Sequence, residues 1–446
     1  MTIFNEPYPN IGIVLQKIAG LADTSRLAFN NNNKRYRKDE DYGARKTVDA
    51  AVLQDSIEQL FLKPLSKTVS DEFGRYFAAY VRLGLSNYIE LMKHVPMEAI
   101  ERKRVVEMLN LHLFVESLAS LIWQLGREQM QANDIPAFYF EENPIQTLIR
   151  FYETQVCSGG PNFNQYFEEN IRTATKWRSG HEIPNIGSLQ SIARWATLSS
   201  PDAADEDKQA LFLCRFIAAF HKKTQYKYVE PLRHAIAFRL KNGTEPQIYL
   251  HNLFREFYAQ EIQRSDLHDL ATFALQLHQE LKRSSGKPEG SYKELTEKVN
   301  FLNDLMLRHG VEAQLDYHCE WFRGRLAILS GDIENAGDHY ANAVEKSLYK
   351  AGNNIRDLLK EALAVNAIQK KPYKPTLKKL KNRALTFYPK IIEPKLRNLP
   401  VTVTDEDIFE WRLWFIARFP KRGWFKEGIP VLERRVQEMK IRGCDK

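Results

Sequence analysis

Cysteine is scarce in this chain of 446 residues: the four present, Cys157, Cys214, Cys319 and Cys444, lie far apart. None forms a Cys-x-x-Cys pair, and no histidine stands at zinc-finger spacing from two of them. Neither a disulfide framework nor a thiolate metal site is expected, and reduced thiols in a cytosolic setting are. The opening residues MTIFNEPYPNIG lack a basic start followed by an apolar core, so no signal peptide is expected. No uninterrupted apolar run approaches the ~20 residues of a membrane helix. The nearest, Leu111 to Leu125, contains His112, Glu116 and Gln124. Strand patterning is nearly missing too, with Val401-Thr402-Val403-Thr404 the clearest alternation.

Catalytic signatures are lacking as well. There is no His-Glu-x-x-His, no phosphate loop ending in Gly-Lys-Ser/Thr and no Gly-x-Ser-x-Gly. None of the eleven histidines follows an arginine at the spacing of the helical ribonucleases. Pro201-Asp202 with Glu206-Asp207-Lys208 imitates a metal-nuclease motif, but that chemistry needs carboxylates on adjacent strands. Asp205 to Asp207 are expected to be first-turn acids of a helix. His221 beside Lys222 and Lys223, and His318 beside Cys319, have no second ligand nearby in sequence. No cofactor and no metal are expected, and the chain is expected to bind rather than to catalyse.

What is present is charge, placed unevenly. The net charge is +8. From Ile368 to the end there are 20 Lys+Arg against 9 Asp+Glu, whereas the first 367 residues carry 44 against 47. The whole basic excess therefore belongs to the last part of the chain, where a polyanion could bind. With 43% hydrophobic and 27% charged residues, the composition is that of a globular protein with ample material for a core.

Helical periodicity runs through most of the chain. Val48, Val52, Ile57, Leu60 and Phe61 make one apolar stripe; Phe73, Phe77, Val81, Leu85, Ile89 and Met92 make another. Breaks fall near Pro231, Asn242-Gly243, Ser284 to Gly290, Gly310, Gly331, Gly352 and Pro372, the rhythm of an antiparallel array. The expected fold is all-α, a multi-helical antiparallel array. The expected divisions are a flexible segment over 1–42, a helical domain over 43–133, a possible helix-turn-helix over 143–200, a helical repeat over 203–390 and a basic helical segment over 391–446.

The stretch WFRGRLAILSGDIENAGDHYANAVEKSLY, Trp321 to Tyr349, carries the most information. Gly331 ends one helix where the backbone needs φ > 0, and Asp332 caps the next. Gly324, Ala336 and Ala343 fall where two antiparallel helices touch, and Tyr340 fills the gap beside them. This segment resembles a tetratricopeptide repeat (TPR), with Trp321 one position beyond the usual tryptophan site, which Glu320 occupies. The resemblance covers 317–389, with a degenerate second unit around Ala384 and Pro389. It implies TPR-like helical hairpins that bury their faces by stacking on neighbours and present a surface to a protein or peptide partner.

The segment ENIRTATKWRSGHEIPNIGSLQSIARWA, from Glu169, places Trp177, Gly180 and Pro184 before a Leu189-x-x-Ile192-Ala193 helix. It resembles, over 162–198, the Cro/C1-type helix-turn-helix of phage repressors. That resemblance implies Ile171 and Trp177 packed inward, and Arg172, Thr173, Thr175, Lys176 and Arg178 turned toward DNA. Farther on, Lys370 to Arg397 hold ten basic residues and one acid. There Leu377, Leu380, Ala384 and Phe387 form an apolar line, and Lys378, Lys379, Lys381 and Arg383 are expected to face away from it. Lys421 and Arg422, beside Trp424 and Phe425, complete the candidate DNA-binding set.

The sequence therefore leads to a non-enzymatic, cytoplasmic helical-repeat regulator. It would hold a protein or peptide partner on its array, contact DNA through the helix-turn-helix or the basic end, and need no membrane. The rival expectation is a TPR-type scaffold subunit that touches no nucleic acid.

Overall fold

The computed structural model describes residues 3, 7–24, 50–129, 139, 141–156, 161–198, 204–242, 260, 267–284, 290–388, 391–392 and 402–418. Among these residues every regular element is helical. The chain divides into two compact units, 1–48 with 52–88 and 102–253, and 49–51 with 89–101 and 254–446. The helices over 204–242, expected to open the repeat, belong to the first of these. Most of the flexible segment expected over 1–42 lies outside the described residues, as do Lys421 and Arg422.

In the first unit, α1 (Ile11–Ala22) begins at Asn10, whose side chain accepts from the Ile13 amide at 3.0 Å. Helix α2 (Ala50–Ile57) passes through a π turn at Glu58–Leu62 into α3 (Lys63–Thr68), and α4 runs Asp71–His94; residues 50–51 of α2 and 89–94 of α4 are assigned to the second unit. Helix α5 (Arg102–Leu109) passes through a second π turn, Asn110–Glu116, into α6 (Ser117–Gln129). Then come α7 (Pro144–Val156), the four-residue α8 (Phe163–Tyr166), α9 (Ile171–Arg178), α10 (Ile186–Ala196), α11 (Ala204–Lys223) and α12 (Val229–Asn242). The i, i+4 pair Phe73 and Phe77 on α4 meets Phe212 and Phe216 on α11, with Phe77 centroids 5.3 and 5.7 Å from those rings. Such edge-on aromatic contacts add to the gain from burial. Arg215 on α11 reaches Asp23, at the left-handed end of α1, at 3.5 Å, and Asp23 in turn accepts from the Ile186 amide at 3.0 Å. One buried ion pair thus ties the end of α1 and the start of α10 to the middle of α11.

The run Arg102–Leu125 is long and apolar enough to cross a membrane by composition, and 83% of its most apolar 18 residues are buried within the protein. Glu116 within it pairs with Arg239 of α12 at 2.8 Å.

The second unit contains α13 (Leu267–Ser284), α14 (Gly290–His309), α15 (Glu312–Leu329), α16 (Ile333–Ser347), α17 (Asn354–Ile368), α18 (Lys374–Phe387) and α19 (Asp405–Arg418). From α13 to α18 each helix packs on the next, and α19 returns onto α17. Leu277 and Leu281, Leu295, Val299 and Leu302, and Leu315 and Phe322 form one continuous core across the first three. Gly331 adopts φ 79°, and Asp332 accepts from the Asn335 amide at 3.1 Å, as the turn chemistry requires. A Cβ on Gly324 would lie 2.9 Å from Tyr340 Cδ2, so α15 and α16 approach as closely as a glycine allows.

The alternation at Val401–Thr404 forms no strand over its described residues, 402–404. Thr404 instead caps α19: its amide donates to Asp407 Oδ2 at 2.9 Å and its hydroxyl accepts from the Asp407 amide at 3.1 Å. A β-branched residue three positions before an acid is a capping box, and that local pairing wins over strand propensity.

Candidate functional site

On α9, Arg172, Thr175, Lys176 and Arg178 are exposed and Thr173 is half-buried. Two of these cations already have partners: Arg178 Nε lies 2.9 Å from Glu153 Oε1 of α7, and Lys176 Nζ pairs with Glu182 at 2.5 Å. The Thr175 hydroxyl donates to the Ile171 carbonyl at 2.8 Å. Trp177 is buried as expected, but Ile171 is 47% exposed. Ile171 is the first residue of α9, just after a 3-10 turn at Glu168–Asn170, and so leaves the face that Ala174 and Trp177 bury. Before it stands only the four-residue α8, much shorter than a helix that crosses a DNA backbone.

The basic end is sorted differently from expectation. Lys378 and Lys379 are exposed, as are Lys370, Lys371 and Lys374, but Lys381 and Arg383 are buried. Lys381 Nζ donates to the Thr402 carbonyl at 3.0 Å and pairs with Asp407 at 3.3 Å, and Arg383 Nε lies 3.1 Å from Glu345 Oε1. The physical reason is helical phase. Lys381 stands four residues after Leu377 and one after Leu380, inside the apolar arc of α18, so its ammonium needs a carboxylate. These two residues are removed from the surface that a polyanion can reach. Tyr373, just before α18, is 65% exposed among the lysines.

A dense polar constellation lies among the described residues of the second unit. Glu361 of α17 has no exposed surface and accepts four bonds: from Trp321 Nε1 at 2.6 Å, Arg325 Nε at 3.1 Å, Arg325 Nη2 at 2.8 Å and the Tyr340 hydroxyl at 3.0 Å. Arg325 also donates to His278 Nδ1. A guanidinium has no acceptor, so the His278 hydrogen must sit on Nε2, which faces His318 Nδ1 at 3.2 Å. His318 then carries its own hydrogen on Nε2, 3.5 Å from Glu98 Oε1. Tyr317 donates to that same oxygen at 2.9 Å. The chain of donors therefore runs one way, from Arg325 through His278 to His318, whose Nε2 lies near Glu98 without a hydrogen bond.

Burial opposes the Arg325 charge most strongly, but the Glu361 carboxylate and the Tyr340 phenol together outweigh it and raise the pKa above the usual arginine value. Burial, with Glu361 beside it, pushes the Tyr340 phenol well up, so it remains a donor. A carboxylate filled by four donors and shut from solvent serves packing rather than proton transfer. No group of three or more metal-ligating side chains occurs among the described residues.

Sequence reading separated His318 from any partner because its neighbours, His278 and Glu98, lie forty and more than two hundred positions away. Glu361 did leave a trace: it is a lone acid amid the apolar positions of LLKEALAV, where a charge must be paired.

No family model, no curated protein and no solved structure matches this chain.

Proposed function

We propose that this protein acts by binding: a helical-repeat regulator that holds a protein or peptide on the array α13–α18 and contacts DNA through the lysines around the start of α18. The observation that carries the reading is the sorting of basic residues there. Lys381 and Arg383 are drawn inward and neutralised, while Lys370, Lys371, Lys374, Lys378 and Lys379 stay exposed around Tyr373. Between Lys370 and Tyr388 there is no acidic residue to offset them in sequence. Clustered ammonium groups displace counterions from a phosphate backbone, and an exposed tyrosine can lie against a base. The stacked order of α13 to α18 and the Gly324–Tyr340 contact support a repeat-type scaffold.

The test is DNA binding by the purified protein across a salt series, with Lys378→Gln/Lys379→Gln beside the wild type. A second reading, a protein scaffold without nucleic acid, is favoured by the ion pairs of Lys176 and Arg178 on α9 and of Lys374 with Asp405 at 3.0 Å. Co-purification of a protein partner that survives nuclease treatment, with no salt-dependent DNA binding, would select it.

A further inference from the structure

A groove between α4 and α6 has no part in the reading above. Its volume is about 140 Å³, and Tyr76, Tyr80, Gly84, Asn87, Ser120 and Gln124 are among the residues that line it. Two independent features point to a ligand. The first is Gly84. In the same helix, Gly74 is demanded by packing, since a Cβ there would lie 2.6 Å from Ser66 Oγ. A Cβ on Gly84 meets nothing within 4 Å. Mid-helix glycine is destabilising relative to alanine, and here no neighbour requires it. What it does is keep the groove open.

The second feature is the π turn at Asn110–Glu116, which leads directly into the wall carrying Ser117 and Ser120. Such turns shift the register of a helix and recur at binding sites.

The lining sets the chemistry. No Lys, Arg, His, Asp or Glu lines the groove, so a charged ligand would lose hydration without a counter-charge. Ser120 spends its hydroxyl hydrogen on the Glu116 carbonyl at 2.8 Å and keeps lone pairs for an incoming N–H. Burial pushes the Tyr80 phenol up, so it stays a neutral donor. Asn87 and Gln124 bring amides that both donate and accept. We infer that this groove binds a small, uncharged, planar molecule with an amide-type edge, of the class of aromatic carboxamides. The volume matches one ring: a cavity of about 150 Å³ holds benzene.

The test is calorimetric or NMR titration of the full-length protein with benzamide, and with benzoate and benzylamine as charged analogues of the same shape. Benzamide is expected to saturate with a dissociation constant of about 1 mM or below, within reach of a ligand of about nine heavy atoms. The charged analogues are expected to bind at least ~10-fold more weakly. Gly84→Leu should remove the benzamide signal with its circular dichroism and melting temperature maintained, and Ser120→Ala should weaken it about 3- to 5-fold. Should Gly84→Leu fail to fold, Leu83→Trp narrows the groove from the same helix and is judged by the same loss. No saturation by ~10 mM benzamide, equal affinity for benzoate, or undiminished binding in the filled variant overturns the inference.

Discussion

Arg325 and Glu361 meet through two N–H···O bonds, Nη2 to Oε1 at 2.8 Å and Nε to Oε2 at 3.1 Å, with both side chains buried. The pair joins α15 to α17 across one intervening helix of the stack. A buried pair of this kind adds little net stability over apolar side chains of the same shape, but it is costly to break from one side. Its value lies in register: only one placement of α17 lets Trp321, Arg325 and Tyr340 all reach the same carboxylate.

Glu361→Ala is therefore expected to destabilise the protein by ~3–5 kcal/mol, because it leaves a guanidinium buried without its partner. The double variant Arg325→Met/Glu361→Leu should recover most of that loss. Urea unfolding of the three proteins decides this, and a double variant no better than the single one would refute the pairing.

The Gly324–Tyr340 contact predicts a steric cost. A methyl at Gly324 falls 2.9 Å from the ring. Gly324→Val should cost ~1–3 kcal/mol despite the valine being the more hydrophobic residue. Gly331 tests backbone rather than packing: it has open space for a Cβ but a φ of 79°, so its replacement by valine is strained for a different reason. Trimming the ring by Tyr340→Leu should relieve the first variant and leave the second unchanged, as read from thermal melts of each combination.

Two buried histidines set a pH dependence. Desolvation holds the His112 imidazole down to about 3, and burial, then the nearby Arg233 charge, holds His221 to about 4. Their unfolded value is ~6.5, so the unfolded chain takes up protons first as pH falls. Their contribution is fully present above about pH 6.5 and is lost progressively toward the folded values. The urea midpoint should drop between pH 7 and 4.5, and His112→Leu should flatten that slope; an equal slope in the variant would contradict the assignment.

The two faces of α18 predict opposite phenotypes. Lys381→Gln should lower the melting temperature, since Asp407 loses its buried counter-charge, with a cost of ~1–3 kcal/mol. Lys379→Gln, on the exposed side, should leave it within ~0.5 kcal/mol. Equal melting temperatures for the two variants would mean that the burial of Lys381 is wrong.

How much of this was legible in the sequence depends on distance along the chain. The glycine turn at Gly331, the Asp332 cap and the Gly324–Tyr340 gap are local, and periodicity plus turn chemistry exposes them. The all-helical class is legible for the same reason. The burial of Lys381 was also local, readable from its place four residues after Leu377, and was missed because charge was weighed above phase. The network from Glu98 through His318 and His278 to Arg325 joins segments that only folding brings together, and no single-sequence spacing reveals it. Ile171 faced outward because a 3-10 turn resets the phase of the helix that follows, and a motif read at fixed offsets does not register such a reset.

The most direct measurement is fluorescence anisotropy of a labelled 20-base-pair DNA (a length of ~20 gives about two helical turns) with the purified full-length protein at rising salt. If three to five of the exposed lysines neutralise phosphates, log K should fall against log salt with a slope of about −3 to −4.5, made shallower by about 1.8 in Lys378→Gln/Lys379→Gln. Absence of binding at low salt, or a slope that the double variant leaves unchanged, would contradict the assignment of this surface to nucleic acid.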